Sequence, residues 1–386
     1  MKRFGIAALA AAIGCGDDAQ TKTIDAPNAI DASTVVRSEV LSLPAAAIRS
    51  VDILFMIDDS PSMLDKQQSL IANFPNFVNV IDGLPGGRPD LHIGVVTSDL
   101  GTSAADGTAG PNIGSGNGAC AAQGKAGSLT TNGSTLVVGK FISDIAGTSG
   151  RNVNYTGTLA AAFTSIASVG QSGCGFEQPL EAVKRALDNN NVANAGFVRH
   201  TNLMVVFLTD EDDCSLQHPA LLQSDQTIYG PLQSFRCTRF GITCDTGGTT
   251  PDEMNQIGAK SGCHSNESGT DLTKVSGYAT FLAGIAGDDP RNVMVSALVA
   301  PATPVAVELR SPGGGTTPSP ALARSCTYQN ASGMPAVGDP AVRITELANK
   351  FDRHTVDTVC HASLRWGAGS DWAEAREGVV AMRTAK

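Results

Sequence analysis

Aromatic residues make up only 5% of this chain, and no apolar run approaches the length needed to cross a bilayer, so no transmembrane helix is expected. Basic residues are not in excess. Lys and Arg number 27 against 37 Asp and Glu, a net charge of −10, which argues against a nucleic-acid surface and is compatible with cation binding. No C-x-x-C occurs, and the six His residues do not pair at metal spacing, so a zinc site is not expected. G-x-S-x-G, H-E-x-x-H, P-loop and G-x-G-x-x-G patterns are also missing, which removes the enzyme classes they mark. What is abundant is Gly, at 42 residues, which predicts many loops. Apolar content is ordinary for a globular protein, and 386 residues suffice for one large domain or two.

The first residues, MKRFGIAALAAAIGC, combine Lys2 and Arg3 with a short apolar stretch, the pattern of a secretory signal. Small residues before Cys15 resemble a bacterial lipobox. The resemblance implies a lipidated Cys15 at the end of a 1–15 signal, a membrane anchor, and a place in the cell envelope. Gly16 after the Cys points to the outer membrane, with the domain on its periplasmic or surface face. Residues 16–48 are small, polar and without periodicity, and read as a flexible tether with a span of roughly 30 Å.

Setting Cys15 aside leaves eight of nine cysteines. An even number in an exported chain predicts disulfides. Chain proximity favours Cys326 with Cys360 and Cys120 with Cys174. Cys214, Cys237, Cys244 and Cys263 then pair among themselves.

From residue 49 onward strand and helix patterns alternate. Continuous apolar runs at 51–57, 91–97, 203–208 and 293–299 read as strands buried on both faces. A short edge strand is expected within 136–145, and another strand at 355–359. Leu70, Ile71, Phe74, Phe77, Val78 and Ile81 recur at helical spacing, with Pro75 expected to kink or divide that helix. Further helices are expected over 158–169, 179–187, 278–285, 342–351 and 371–382. Loop insertions are expected near 100–135, 214–272 (stapled by disulfides) and 300–338. The alternation predicts an α/β fold with a mostly parallel central sheet, Rossmann-like, covered by helices on both faces. No second core is legible, so residues 49–386 read as one domain.

Two segments carry the chemistry. In VDILFMIDDSPSM, residues 51–63, an apolar strand stops at Asp58, and Ser60 and Ser62 follow at alternate positions. In LMVVFLTDEDDCS, residues 203–215, a strand stops at Thr209 and Asp210. Parallel strands open on one edge, where open α/β sheets place their ligands. Carboxylate and hydroxyl oxygens are hard ligands suited to magnesium or calcium, and to manganese. Glu211, Asp212 and Asp213 read as a solvated acidic turn. The Asp58-Asp59 pair would suit an aspartyl nucleophile, but no Lys is evident in the strand-end loops.

The D-x-S-x-S and L-T-D motifs resemble the von Willebrand factor A-type domain of exported bacterial proteins, and the order of elements is similar over roughly residues 48–384. The resemblance implies a metal-ion-dependent adhesion site formed by Asp58, Ser60, Ser62 and Asp210. An open coordination position on its divalent cation would be completed by an acidic group of a protein partner. The family's threonine falls on Cys174 here, so Glu177, or else Ser172, is expected to supply the missing oxygen. The expected function is a lipid-anchored binding or adhesion module without catalysis. The alternatives are a metal-dependent hydrolase using Asp212, Asp213 or His218, and a structural envelope protein with a vestigial site.

Overall fold

The computed structural model describes residues 50–361 apart from 85, 286, 288 and 312–316. The signal with Cys15, the 16–48 tether and the 371–382 helix lie outside the described residues. A seven-stranded sheet is built from β1 (Ser50–Ile57), β2 (Asp90–Thr97), β3 (Ile142–Gly147), β4 (Gly150–Val153), β5 (Asn202–Leu208), β8 (Val293–Val299) and β13 (His354–Thr358). Its order is β13-β8-β5-β1-β2-β3-β4. The strands from β13 to β2 are parallel, and β3 and β4 form an antiparallel hairpin on the edge. The single edge strand expected within 136–145 is thus the first arm of this hairpin.

Helices cover both faces. On one side α1 (Leu64–Asp82) and α2 (Leu159–Ala167) bury Leu70, Phe74, Phe77 and Phe163 against Ile53, Phe55 and Ile57 of β1. On the other, α3 (Pro179–Leu187), α7 (Val275–Ile285) and α8 (Val342–Ala348) bury Val183, Leu282 and Ile344 in one core with Leu54 and Met56. The alternate residues of β1 therefore feed two cores, which is why its sequence is continuously apolar. Gly94 of β2 fits this packing closely: a Cβ there would stand 2.9 Å from the Phe197 ring.

Two expectations are corrected. α1 runs unbroken through Pro75. That residue is exposed, so its ring lies on the solvent side and the carbonyl it fails to bond can be hydrated. The 214–272 and 300–338 excursions are not mere loops. Besides α4 (Gln226–Tyr229), α5 (Phe235–Gly241) and α6 (Pro251–Met254), they contribute β6 (Ile242–Thr246), β7 (Gly258–Ser265), β9 (Val305–Arg310) and β10 (Ser319–Leu322). These form one antiparallel sheet, β10-β9-β7-β6. It has a small core of its own around Phe235, Ile242, Met254, Val305 and Val307. A further hairpin, β11 (Cys326–Gln329) with β12 (Pro335–Gly338), follows.

The cysteines pair as Cys120–Cys174, Cys214–Cys237, Cys244–Cys263 and Cys326–Cys360. Disulfides of this number point to a compartment outside the reducing cytosol. Among the described residues no helix is long and apolar enough to cross a membrane.

Candidate metal site at the carboxyl edge of the sheet

β1 lies between β2 and β5, so the chain order reverses beside it. At such a switch point the loops leaving neighbouring strands part and open a crevice. The register sets Ile57 opposite Leu208, and the Asp58 amide donates to the Leu208 carbonyl at 2.9 Å. The two strand-end motifs therefore meet.

Asp58 is fully buried. Its Oδ1 accepts from the Ser60 amide at 2.8 Å and the Ser98 hydroxyl at 3.1 Å, and its Oδ2 accepts from the Thr209 hydroxyl at 2.7 Å. Burial, and then the Asp210 charge, push its carboxyl up to about 7. Both oxygens are engaged, so neither is presented as a nucleophile. Ser60 Oγ stands 3.3 Å from Ser62 Oγ, which donates to Asp210 Oδ1 at 3.0 Å. Thus Asp58, Ser60, Ser62 and Asp210 come together as one connected set of oxygens.

Asp210 Oδ2 is held by a residue that the strand-end motifs do not reveal. Lys66 Nζ lies 2.9 Å from it and also donates to the Ser62 carbonyl at 2.9 Å. Both side chains are 3% exposed. Burial works against the Lys66 charge, but the ion pair and hydrogen bond to Asp210 outweigh it and hold the ammonium above its ordinary range. A signal was present: one step of four back from Leu70, on the buried face of α1, lands on Lys66. Gln67 beside it is buried too and donates to the Asp58 and Gly170 carbonyls at 3.0 and 2.8 Å.

Glu177 stands apart from this hydrogen-bonded set. It is buried and lines an adjacent cavity of about 110 Å³ with Glu211, Asp212, Asp213, Arg324 and Asp339. Burial first, then the charges of Glu211 and Asp58, raise its carboxyl well above the usual range. Cys174 is tied to Cys120. Ser172 lies in the loop closing over Asp59, where the Gly173 amide donates to the Asp59 carbonyl at 2.8 Å. A Cβ on Gly173 would stand 2.3 Å from Asp59 Oδ1, so this close approach needs glycine.

The acidic turn is not fully solvated: Asp213 is buried, and Glu211 and Asp212 are only partly exposed. Asp212 accepts from the Arg343 and Ile344 amides at the start of α8, at 3.0 and 3.2 Å. Asp213 Oδ1 accepts from the Leu180 amide at the start of α3 at 3.0 Å, and Oδ2 pairs with Arg343 Nη2 at 3.0 Å. These carboxylates satisfy helix N-termini, which otherwise leave donors unpaired. That commitment weighs against hydrolytic roles for Asp212 and Asp213.

The donor set suits a small hard cation. Ligands of an octahedral magnesium-type ion sit about 2.9 Å apart, close to the 3.3 and 3.0 Å spacings from Ser60 through Ser62 to Asp210. Among the described residues no group of three or more His, Cys, Asp or Glu side chains is arranged to hold a metal, so a site here draws on other oxygens, the Ser60 and Ser62 hydroxyls among them. No protein-family model matches the chain, and no curated protein matches it.

Proposed function

We propose that this chain is an exported binding module of the von Willebrand factor A-like, Rossmann-like type, anchored through Cys15 in the cell envelope. It engages a protein partner at the carboxyl edge of its sheet. The observation that carries the reading is the junction of the two motifs: the Ser60 and Ser62 hydroxyls and Asp210, contributed by two adjacent parallel strands, form one oxygen cluster.

In this reading Ser60, Ser62 and Asp210 hold a divalent cation, magnesium or calcium, with manganese also accepted. Asp58 fixes the loop through its hydrogen bonds to Ser60 and Thr209. The bound cation supplies an open coordination position for an acidic group of the partner. Glu177 stands in the neighbouring cavity wall, outside this ligand set. A groove of about 620 Å³ beside the cluster, lined by Ser62, Asp65, Asp210, Asn330 and Met334, gives the partner's flanking residues a place to lie.

The test is equilibrium binding of Mn²⁺ to the full chain, followed by electron paramagnetic resonance. Saturable binding that Ser62→Ala weakens about tenfold, a loss of about 1.4 kcal/mol, supports the reading. Absence of saturable binding, or binding indifferent to Ser62→Ala, removes it.

A further inference from the structure

Asp210 already has a cation. Lys66 Nζ sits 2.9 Å from its Oδ2, while its Oδ1 accepts from Ser62. The ion pair is enclosed on both sides, at 3% exposure each. The position is an unusual one for a Lys. Lys66 is the third residue of α1, where the helix dipole disfavours positive charge and favours the neighbouring Asp65. Lys66 is therefore held against the local preference by Asp210.

A divalent ion held by Ser60, Ser62 and Asp210 would bring two further positive charges beside this ammonium. Like charges repel strongly at such range in a buried setting. The ammonium and the ion cannot share Asp210 on equal terms. An exit for Lys66 is already in place. Asp65 Oδ1 is 3.2 Å from Nζ, the Tyr328 ring centroid is 5.8 Å away, and the Tyr328 hydroxyl donates to Asp65 Oδ2 at 3.2 Å. Lys66, Asp65 and Asp210 all line the 620 Å³ groove, so there is room for the side chain to turn.

We propose that Lys66 is a tethered competitor for the cation: its ammonium bridges Asp210 and Asp65 in the metal-free protein, and it lets go of Asp210 and keeps Asp65 when a divalent ion binds. This inference rests on the cation-site reading above. It adds a consequence that the ligand set alone does not give. The metal-free fold keeps its buried carboxylate neutralised, and cation affinity is set by how often Asp210 is released. A binding-competent state populated only part of the time lowers apparent affinity by that fraction. The release also carries the binding event to Tyr328 on β11, which touches both Asp65 and Lys66.

Two variants of the full chain test it, each by Mn²⁺ titration and by thermal melting with and without Mn²⁺. Lys66→Met removes the competitor and leaves Asp210 buried and unpaired. It is expected to bind Mn²⁺ about tenfold more tightly, to melt lower than the wild type in chelator, and to regain its melting temperature when Mn²⁺ is added. Asp65→Asn removes the acceptor for the displaced ammonium and is expected to weaken Mn²⁺ binding. If the wild type binds Mn²⁺ and Lys66→Met binds it no more tightly, the competitor role is overturned and the site stands. If neither protein binds Mn²⁺, the site reading and this inference fall together.

Discussion

Lys66 with Asp210 and Arg343 with Asp213 are the two enclosed ion pairs that frame the crevice. They differ in what surrounds them. Arg343 donates also to the Gly241 and Thr273 carbonyls, and Asp213 caps α3, so this pair is saturated and fixed. Arg343→Met leaves a buried carboxylate with part of its partners gone, and is expected to destabilise the protein by about 3–5 kcal/mol. Chemical denaturation measures this, and a change below about 1 kcal/mol would show the pair to be dispensable. Asp58 is a less clean target than its leading place in the motif suggests, because removing its carboxylate would strand the Ser60, Ser98 and Thr209 donors. At this scale the sequence disclosed the clustered oxygens and hid their neighbours. Asp58, Ser60, Ser62 and Asp210 were legible because each follows an apolar strand. Lys66 was hidden because a charged residue next to an acidic one reads as helix surface, even though it continues the Leu70 and Phe74 stripe.

The elements were legible in proportion to their burial. β8 and α3 match their expected bounds and β1 and β5 lie within one residue of them, since runs buried on both faces leave no ambiguity of period. The second sheet was not legible. β7 is mostly exposed, with only Lys260 and Ser265 buried, and Gly, Cys and Ser in it mask any alternation. Pro75 does not divide α1, because a local rule about helix interiors is relaxed where the ring faces water. The edge hairpin offers a test of its own. Asp144 is buried beneath Arg88, Arg151 and Tyr155, which all donate to its carboxylate. Burial alone would raise its pKa, but these donors together hold it below the ordinary carboxylate value. A depressed carboxylate stabilises the fold above its unfolded value, near 4, and loses that contribution as pH falls through the folded value. Asp144→Asn is therefore expected to cost about 2 kcal/mol at neutral pH, with the gap to wild type closing below about pH 4. A gap that stays constant from neutral pH to pH 3 would contradict this assignment.

On the scale of the whole molecule, the disulfides hold the excursions around the crevice. Cys120–Cys174 ties the long 100–135 loop to the segment before α3 across 54 residues, and Cys326–Cys360 ties the β11–β12 hairpin to the chain just after β13. Closing a loop of that first length restrains the unfolded chain by about 4 kcal/mol. Replacing Cys120 and Cys174 together by Ser should lower unfolding stability by about that amount, and a loss under about 1 kcal/mol would show that packing alone holds the segment. Ser62 and Asp210 line a groove bordered by residues 330–337 of the β11–β12 hairpin. The most direct measurement is anomalous diffraction from crystals of the full chain equilibrated with Mn²⁺. A peak bounded by Ser60 Oγ, Ser62 Oγ and Asp210 is expected, with the Lys66 ammonium released from Asp210 and held by Asp65 alone. Crystals with no peak at this edge, and with Lys66 still paired to Asp210, would contradict it.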